Sequence, residues 1–82
     1  MKHSLKIEEQ YLDNLIDGKK KVEIRVNDRD YQVGDTLDFS GSAELYGYDE
    51  FRFKKCLFRV THIHSGMGME KGWVAMSVES YA

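Results

Sequence analysis

The chain has 82 residues, 41% hydrophobic and 32% charged, with a formal net charge of −2. This is the content of one small globular domain, 1–82, with a thin core, and it excludes a disordered segment. No apolar run approaches the ~20 residues of a membrane span, and the slightly acidic balance excludes a protein held to nucleic acid by bulk charge.

Residues 3–7 alternate weakly and predict a short first strand. Residues 8–17 predict a helix, with Ile7, Tyr11, Leu12, Leu15 and Ile16 at helical spacing on one apolar face. Glu8 and Glu9 oppose the positive end of its dipole. Gly18 suits the left-handed position that ends a helix. Residues 20–26 follow, with Val22, Ile24 and Val26 alternating with Lys21, Glu23 and Arg25, the period of a half-buried strand. Asn27-Asp28-Arg29-Asp30 and Val33-Gly34-Asp35 read as turns, which accounts for Asp28, Asp30 and Asp35 without a calcium or magnesium site. Residues 36–40 predict a strand, 41–50 a long hairpin loop, and 51–64 the longest strand-like stretch. Residues 65–72 carry three glycines and read as a loop. Residues 73–79 predict a final strand with Val74, Met76 and Val78 facing the core.

The predicted order is β-α-β-β-β-β, mainly β with one early helix, which points to a small open or closed barrel. Met1-Lys2-His3-Ser4-Leu5-Lys6 has no apolar stretch or cleavage site of a leader. Cys56 is the only cysteine, so no internal disulfide forms. Together these predict a cytoplasmic protein with no membrane partner.

Gly18-Lys19-Lys20-Lys21-Val22-Glu23-Ile24-Arg25 matches G-x-K-x-x-E-x-R at Gly18, Lys20, Glu23 and Arg25. That is the signature of ASCH domains, which belong to the PUA-like superfamily, and it falls directly after the early helix, as it does there. Asn27 to Asp35, the opening His3, Leu5 and Lys6, and the closing Gly72-Trp73-Val74-Ala75-Met76 resemble the DUF3850 family of short ASCH-like proteins common in bacteria and phages. The resemblance covers nearly the whole chain. It implies an α+β, mainly β, PUA-like barrel with one early helix, and a signature that lines a cleft between helix and barrel. It also implies RNA binding, or, by analogy with a hydrolytic branch of the superfamily, deacylation of modified nucleosides. In that branch a threonine stands where this chain has Glu23, and works with the signature lysine and a later glutamate. The only remote counterpart of that glutamate here is Glu70. The departure argues against the amidohydrolase, and leaves Lys20 and Glu23 as candidate acid and base.

The residue chemistry permits a ligand site. Arg25 offers a planar fork for phosphate or carboxylate, Lys20 and Lys21 offer mobile charges, Glu23 orients them, and Arg29 adds a second anion contact. Tyr46 and Tyr48, with Arg52, Lys54 and Lys55 close by, have the stacking-plus-charge pattern of single-strand RNA binding. Phe51 and Phe53 read instead as core. His62 and His64, even with His3, lack the carboxylate or cysteine spacing of a metal site and read as ordinary strand histidines. Cys56 reads as a small buried apolar residue. No cofactor or metal is expected. The functional expectation is an RNA- or nucleotide-binding module. The alternatives are a small hydrolase acting on a modified nucleoside or RNA, and a protein-interaction adaptor.

Overall fold

A computed structural model describes residues 1–81. The elements are β1 (Lys2–Ser4), α1 (Glu9–Ile16), β2 (Val22–Val26), β3 (Thr36–Asp38), α2 (Ser40–Leu45), α3 (Glu50–Phe53), β4 (Leu57–His64) and β5 (Trp73–Ser80). The strands form one curled sheet in the order β1-β3-β4-β5-β2. β1 runs parallel to β3, and the other pairs are antiparallel. β1 and β2 stay unpaired with each other, so the barrel is open along one side. No described helix is long and apolar enough to cross a membrane.

The core is one cluster. Phe58 and Val60 of β4, Val74 and Met76 of β5, Leu37 of β3 and Phe39 meet Leu12 and Leu15 of α1. Cys56 is fully buried there. A bulge in β4 between Val60 and His62 shifts the register, so Ile63 turns inward and His62 and His64 turn out.

α1 ends as its sequence predicts. Gly18 has φ +77°, its N–H bonds Leu15 O, and the Lys19 N–H bonds Asn14 O at 2.9 Å. This is the paired C-terminal lock of a Schellman motif. The Lys20 N–H also bonds Asn14 O, at 3.0 Å, which holds Lys20 where the chain turns back toward β2.

Two expectations are corrected. Residues 41–45 of the predicted hairpin loop, with Ser40 from the end of the predicted strand, form α2, so α1 is not the single helix. The Ser40 N–H bonds Asp38 Oδ1 at the start of α2, and Ser42 Oγ accepts the Ile7 N–H, satisfying a buried amide from another part of the chain. Phe51 and Phe53 do not begin a strand or enter the core. They sit on α3 and are exposed, because the Asp49 side chain caps the Arg52 N–H at 2.9 Å and winds one helical turn there.

Candidate functional site

β2 carries the alternation the sequence predicts, with the polar side turned inward. Glu23 and Arg25 lie opposite Met76 and Val74, both buried, while Val22, Ile24 and Val26 are exposed on the outer face. Glu23 is only 5% exposed. Burying a carboxylate is costly unless it is paired. Glu23 is held by Arg25 Nε at 2.9 Å and by Lys20 Nζ at 3.6 Å. The Arg25 guanidinium also donates to the Lys6 carbonyl and lies 5.7 Å from the centre of the Phe39 ring. Arg25 thereby links the open edge at β2 to the segment that follows β1.

A cleft of about 650 Å³ opens between these two edges. Small-molecule sites span ~300–1,000 Å³. Lys6, Lys20, Arg25 and Arg29 line it against Glu8, Glu23 and Asp28, so its walls are slightly basic although the whole chain is acidic. Tyr11, Tyr31 and Trp73 supply aromatic walls. The Lys20 ammonium sits 5.6 Å from the Tyr11 ring centre and donates to the Val22 carbonyl. The Tyr31 ring is buried, which pushes its hydroxyl pKa up, and the nearby Arg25 and Arg29 charges partly offset this. The loop that delivers Arg29 is pinned by Asn27, whose Oδ1 accepts the Tyr31 N–H at 3.1 Å.

The structure brings Lys20, Glu23, Arg25 and Arg29 together. Lys21, Tyr46 and Tyr48 lie elsewhere. Lys21 lines a different depression and not the cleft, and its carbonyl takes the Val78 N–H. The Tyr46 hydroxyl donates to the Ile7 carbonyl at 2.6 Å, and Tyr46 lines a separate cavity beside α2. The Tyr48 hydroxyl donates to Asp13, and burial followed by that contact raises its pKa. Sequence reasoning missed Lys6, Tyr11, Tyr31 and Trp73 as cleft residues. Tyr11 stood on the apolar helix face but is exposed, and Trp73 is the first residue of a core-facing strand. Neither position carried a local signal.

No serine, threonine or cysteine is among the residues lining the cleft. Glu70 lies in a smaller depression that shares only Ile24 and Trp73 with it. Among the described residues no group of three or more His, Cys, Asp or Glu is arranged to hold a metal.

A family model described as DUF3850, a domain of unknown function, matches residues 2–78. The chain belongs to this family. An uncharacterised 12.9 kDa protein of Escherichia phage P2 is 46% identical over 35 residues, which is 43% of this chain and 32% of that protein. The match thus spans about a third of the phage relative's length. The crystal structure of hypothetical protein PH0355 superposes with a TM-score of 0.64 at 20% identity, covering 98% of this chain and 99% of that one. At that identity the likeness shows the shared fold. The DUF3850 match covers the whole of the cleft-lining set.

Proposed function

We propose that the cleft binds a nucleotide unit, either free or within single-stranded RNA. The observation that carries this reading is the convergence of Lys20, Arg25 and Arg29 with Tyr11, Tyr31 and Trp73 in one open cavity. Arginine forks and a lysine suit a phosphate, and aromatic rings suit a base plane. Glu23 organises the two cations that flank it and offers an acceptor to a base or ribose donor. The ASCH-like signature in the same residues supports the reading.

The test is an amide-shift titration of the labelled protein with mononucleotides, short single-stranded RNA and duplex RNA at two salt concentrations. The expected shifts cluster at Lys20, Glu23, Arg25 and Arg29. Arg25→Ala should weaken binding roughly 10- to 100-fold, the equivalent of a charge-assisted hydrogen bond worth ~1.5–3 kcal/mol. A strand threading the cleft gives a salt slope of about −0.7 per phosphate neutralised, whereas a mononucleotide gives a shallower one. A spectrum unmoved by all of these ligands overturns the reading.

The 3.6 Å contact of Lys20 with Glu23 favours one alternative, an acid–base pair acting on a modified nucleoside. The lack of a serine, threonine or cysteine nucleophile in the cleft lining argues for binding over acyl transfer. Turnover of an acylated nucleoside that disappears in Lys20→Ala would reverse that order.

A further inference from the structure

β2 ends the sheet, with β5 as its one neighbour. The bonds at its two ends fix which residues face that neighbour. Val78 N–H reaches the Lys21 carbonyl at 3.1 Å, and Asn27 N–H reaches the Gly72 carbonyl at 2.8 Å. The odd-numbered positions of β2 therefore turn their backbone groups toward β5. Val22, Ile24 and Val26 turn theirs to the open edge. The Val22 carbonyl takes the Lys20 ammonium and the Val26 carbonyl takes the Asp28 N–H, each leaving a second lone pair. Among the described residues, no hydrogen-bond partner meets the N–H or C=O of Ile24.

The same three residues put apolar side chains on the outer face, beside Trp73. Natural sheets guard an edge with lysine, proline, a bulge or inward charges. Here the guards are Lys20, whose ammonium caps the Val22 carbonyl at one end, and the inward Glu23 and Arg25, which are complementary to each other.

We propose that β2 is a pairing edge for a second copy of this chain, joined antiparallel about a two-fold axis at Ile24. Edge-facing residues pair with edge-facing residues, so even-numbered positions must meet even-numbered positions. With Ile24 opposite Ile24, Val22 meets Val26 and Glu23 meets Arg25, each twice by symmetry. Just beyond the strand, Lys20 meets Asp28. Sliding by one two-residue step sets Glu23 against Glu23 in one direction and Arg25 against Arg25 in the other. Like charges directly opposite are unfavourable. The central register alone pairs the full strand with opposite charges across it. The space is open as well. The cleft follows this edge, touching Glu23 and Arg25 inside and Ile24 and Val26 outside. The interface is one strand wide, so the dimer is weak and reversible. It covers a wall of the cleft, and a cleft ligand therefore competes with it.

The test is sedimentation equilibrium of the full chain across a wide concentration range. The expected average mass climbs from 9.6 kDa toward twice that value, more readily at low salt. Ile24→Lys and Ile24→Glu, each checked for native circular dichroism, should stay monomeric alone and recover the higher mass when mixed in equal amounts. A wild-type mass that stays at 9.6 kDa throughout overturns the proposal. So does a dimer that both Ile24 variants leave intact, which places the contact elsewhere. Neither outcome touches the nucleotide reading, whose amide-shift titration is read on monomer at low concentration.

Discussion

Two of the three buried carboxylates among the described residues, Glu23 at 5% exposure and Asp35 at 6%, lie at nearly the same depth in opposite kinds of surroundings. Asp35 sits where the chain is closed. His3 Nε2 lies 2.8 Å from one of its oxygens, the Gln32 N–H donates to that oxygen at 3.0 Å, and the amino group of Met1 donates to the other at 3.0 Å. The His3 ring is itself buried and packs edge-on against Tyr31, with centroids 4.8 Å apart. Asp35 is not among the residues that line the cleft. Glu23 sits where the sheet is open, and its partners Lys20 and Arg25 are about a quarter exposed and face the cleft. The first carboxylate joins β1 to the loop entering β3 and serves the fold. In the proposed reading, the second arranges two cations for the cleft ligand. Burial alone does not distinguish a structural charge from a functional one. Where its partners stand does: Lys20 and Arg25 line the cleft, whereas His3, the Gln32 amide and the Met1 amino group do not.

The largest expected effect breaks the closed site. Asp35→Ala strands a buried imidazole and a backbone amide, and should cost about 3 kcal/mol in urea unfolding, since buried donors left without partners lose their full compensation. Glu23→Gln should cost about 1 kcal/mol or less, because Lys20 and Arg25 reach water, yet it should weaken ligand binding roughly tenfold or more by releasing both cations from their fixed positions. A Glu23 variant as unstable as the Asp35 variant would erase the distinction between the two sites.

Much of this contrast was hidden from the sequence for physical reasons. The helix with its Gly18 stop, the buried Cys56 and strands at 36–40, 51–64 and 73–79 follow from local pattern, and the structure has the helix, the buried cysteine and strands at 36–38, 57–64 and 73–80. The alternation in β2 was legible, but not its sense. A period of two fixes two faces without saying which is buried, and Glu23 and Arg25 turned inward because the opening in the barrel lies on that side. α2 was masked by Ser40-Gly41-Ser42, residues of weak helix propensity that are held by Asp38 and by the Ile7 amide. On the cleft side, Lys20, Glu23, Arg25 and Arg29 lie within ten residues of one another and announced themselves. Lys6, Tyr11 and Trp73 reach the same cavity through long-range packing. The His3–Asp35 pair spans 32 positions and has no sequence signature.

A pH series sharpens the comparison from the side of the closed site. Burial pushes the Asp35 carboxyl up, but the bonds from His3, the Gln32 amide and the Met1 amino group outweigh it and leave the pKa at about 2, against 3.8 for a free aspartate. A folded-state pKa below the unfolded one contributes stability that is present above about pH 4 and is lost as pH falls toward 2. The contribution is about 2 kcal/mol. The difference in unfolding free energy between wild type and Asp35→Asn should therefore shrink as pH falls between pH 4 and pH 2. A difference that does not change with pH would mean that the carboxylate charge contributes nothing and the shape of the side chain everything.

The smallest expected effect comes from a third charged cluster, which resembles the open site in exposure but lies outside the cleft. Arg52 of α3 donates to Asp13 at 2.9 Å and to Asp17 at 3.4 Å, and its guanidinium lies 5.3 Å from the centre of the Tyr48 ring. The Tyr48 hydroxyl donates to the same Asp13, and that contact, with Arg52, lowers the Asp13 pKa. These groups clip α3 and the turn before it onto α1. Both carboxylates stand well into solvent, where an ion pair is worth ~0–1 kcal/mol, and a cation over a ring near the surface adds ~0.5–1 kcal/mol. Arg52→Ala should therefore lower stability by about 1 kcal/mol, most visibly as faster amide exchange in α3, and leave cleft binding unchanged. If the same variant also weakened ligand binding, α1 would be carrying strain from the clip to Tyr11 and Lys20 at the cleft wall, and the cluster would belong with the open site after all.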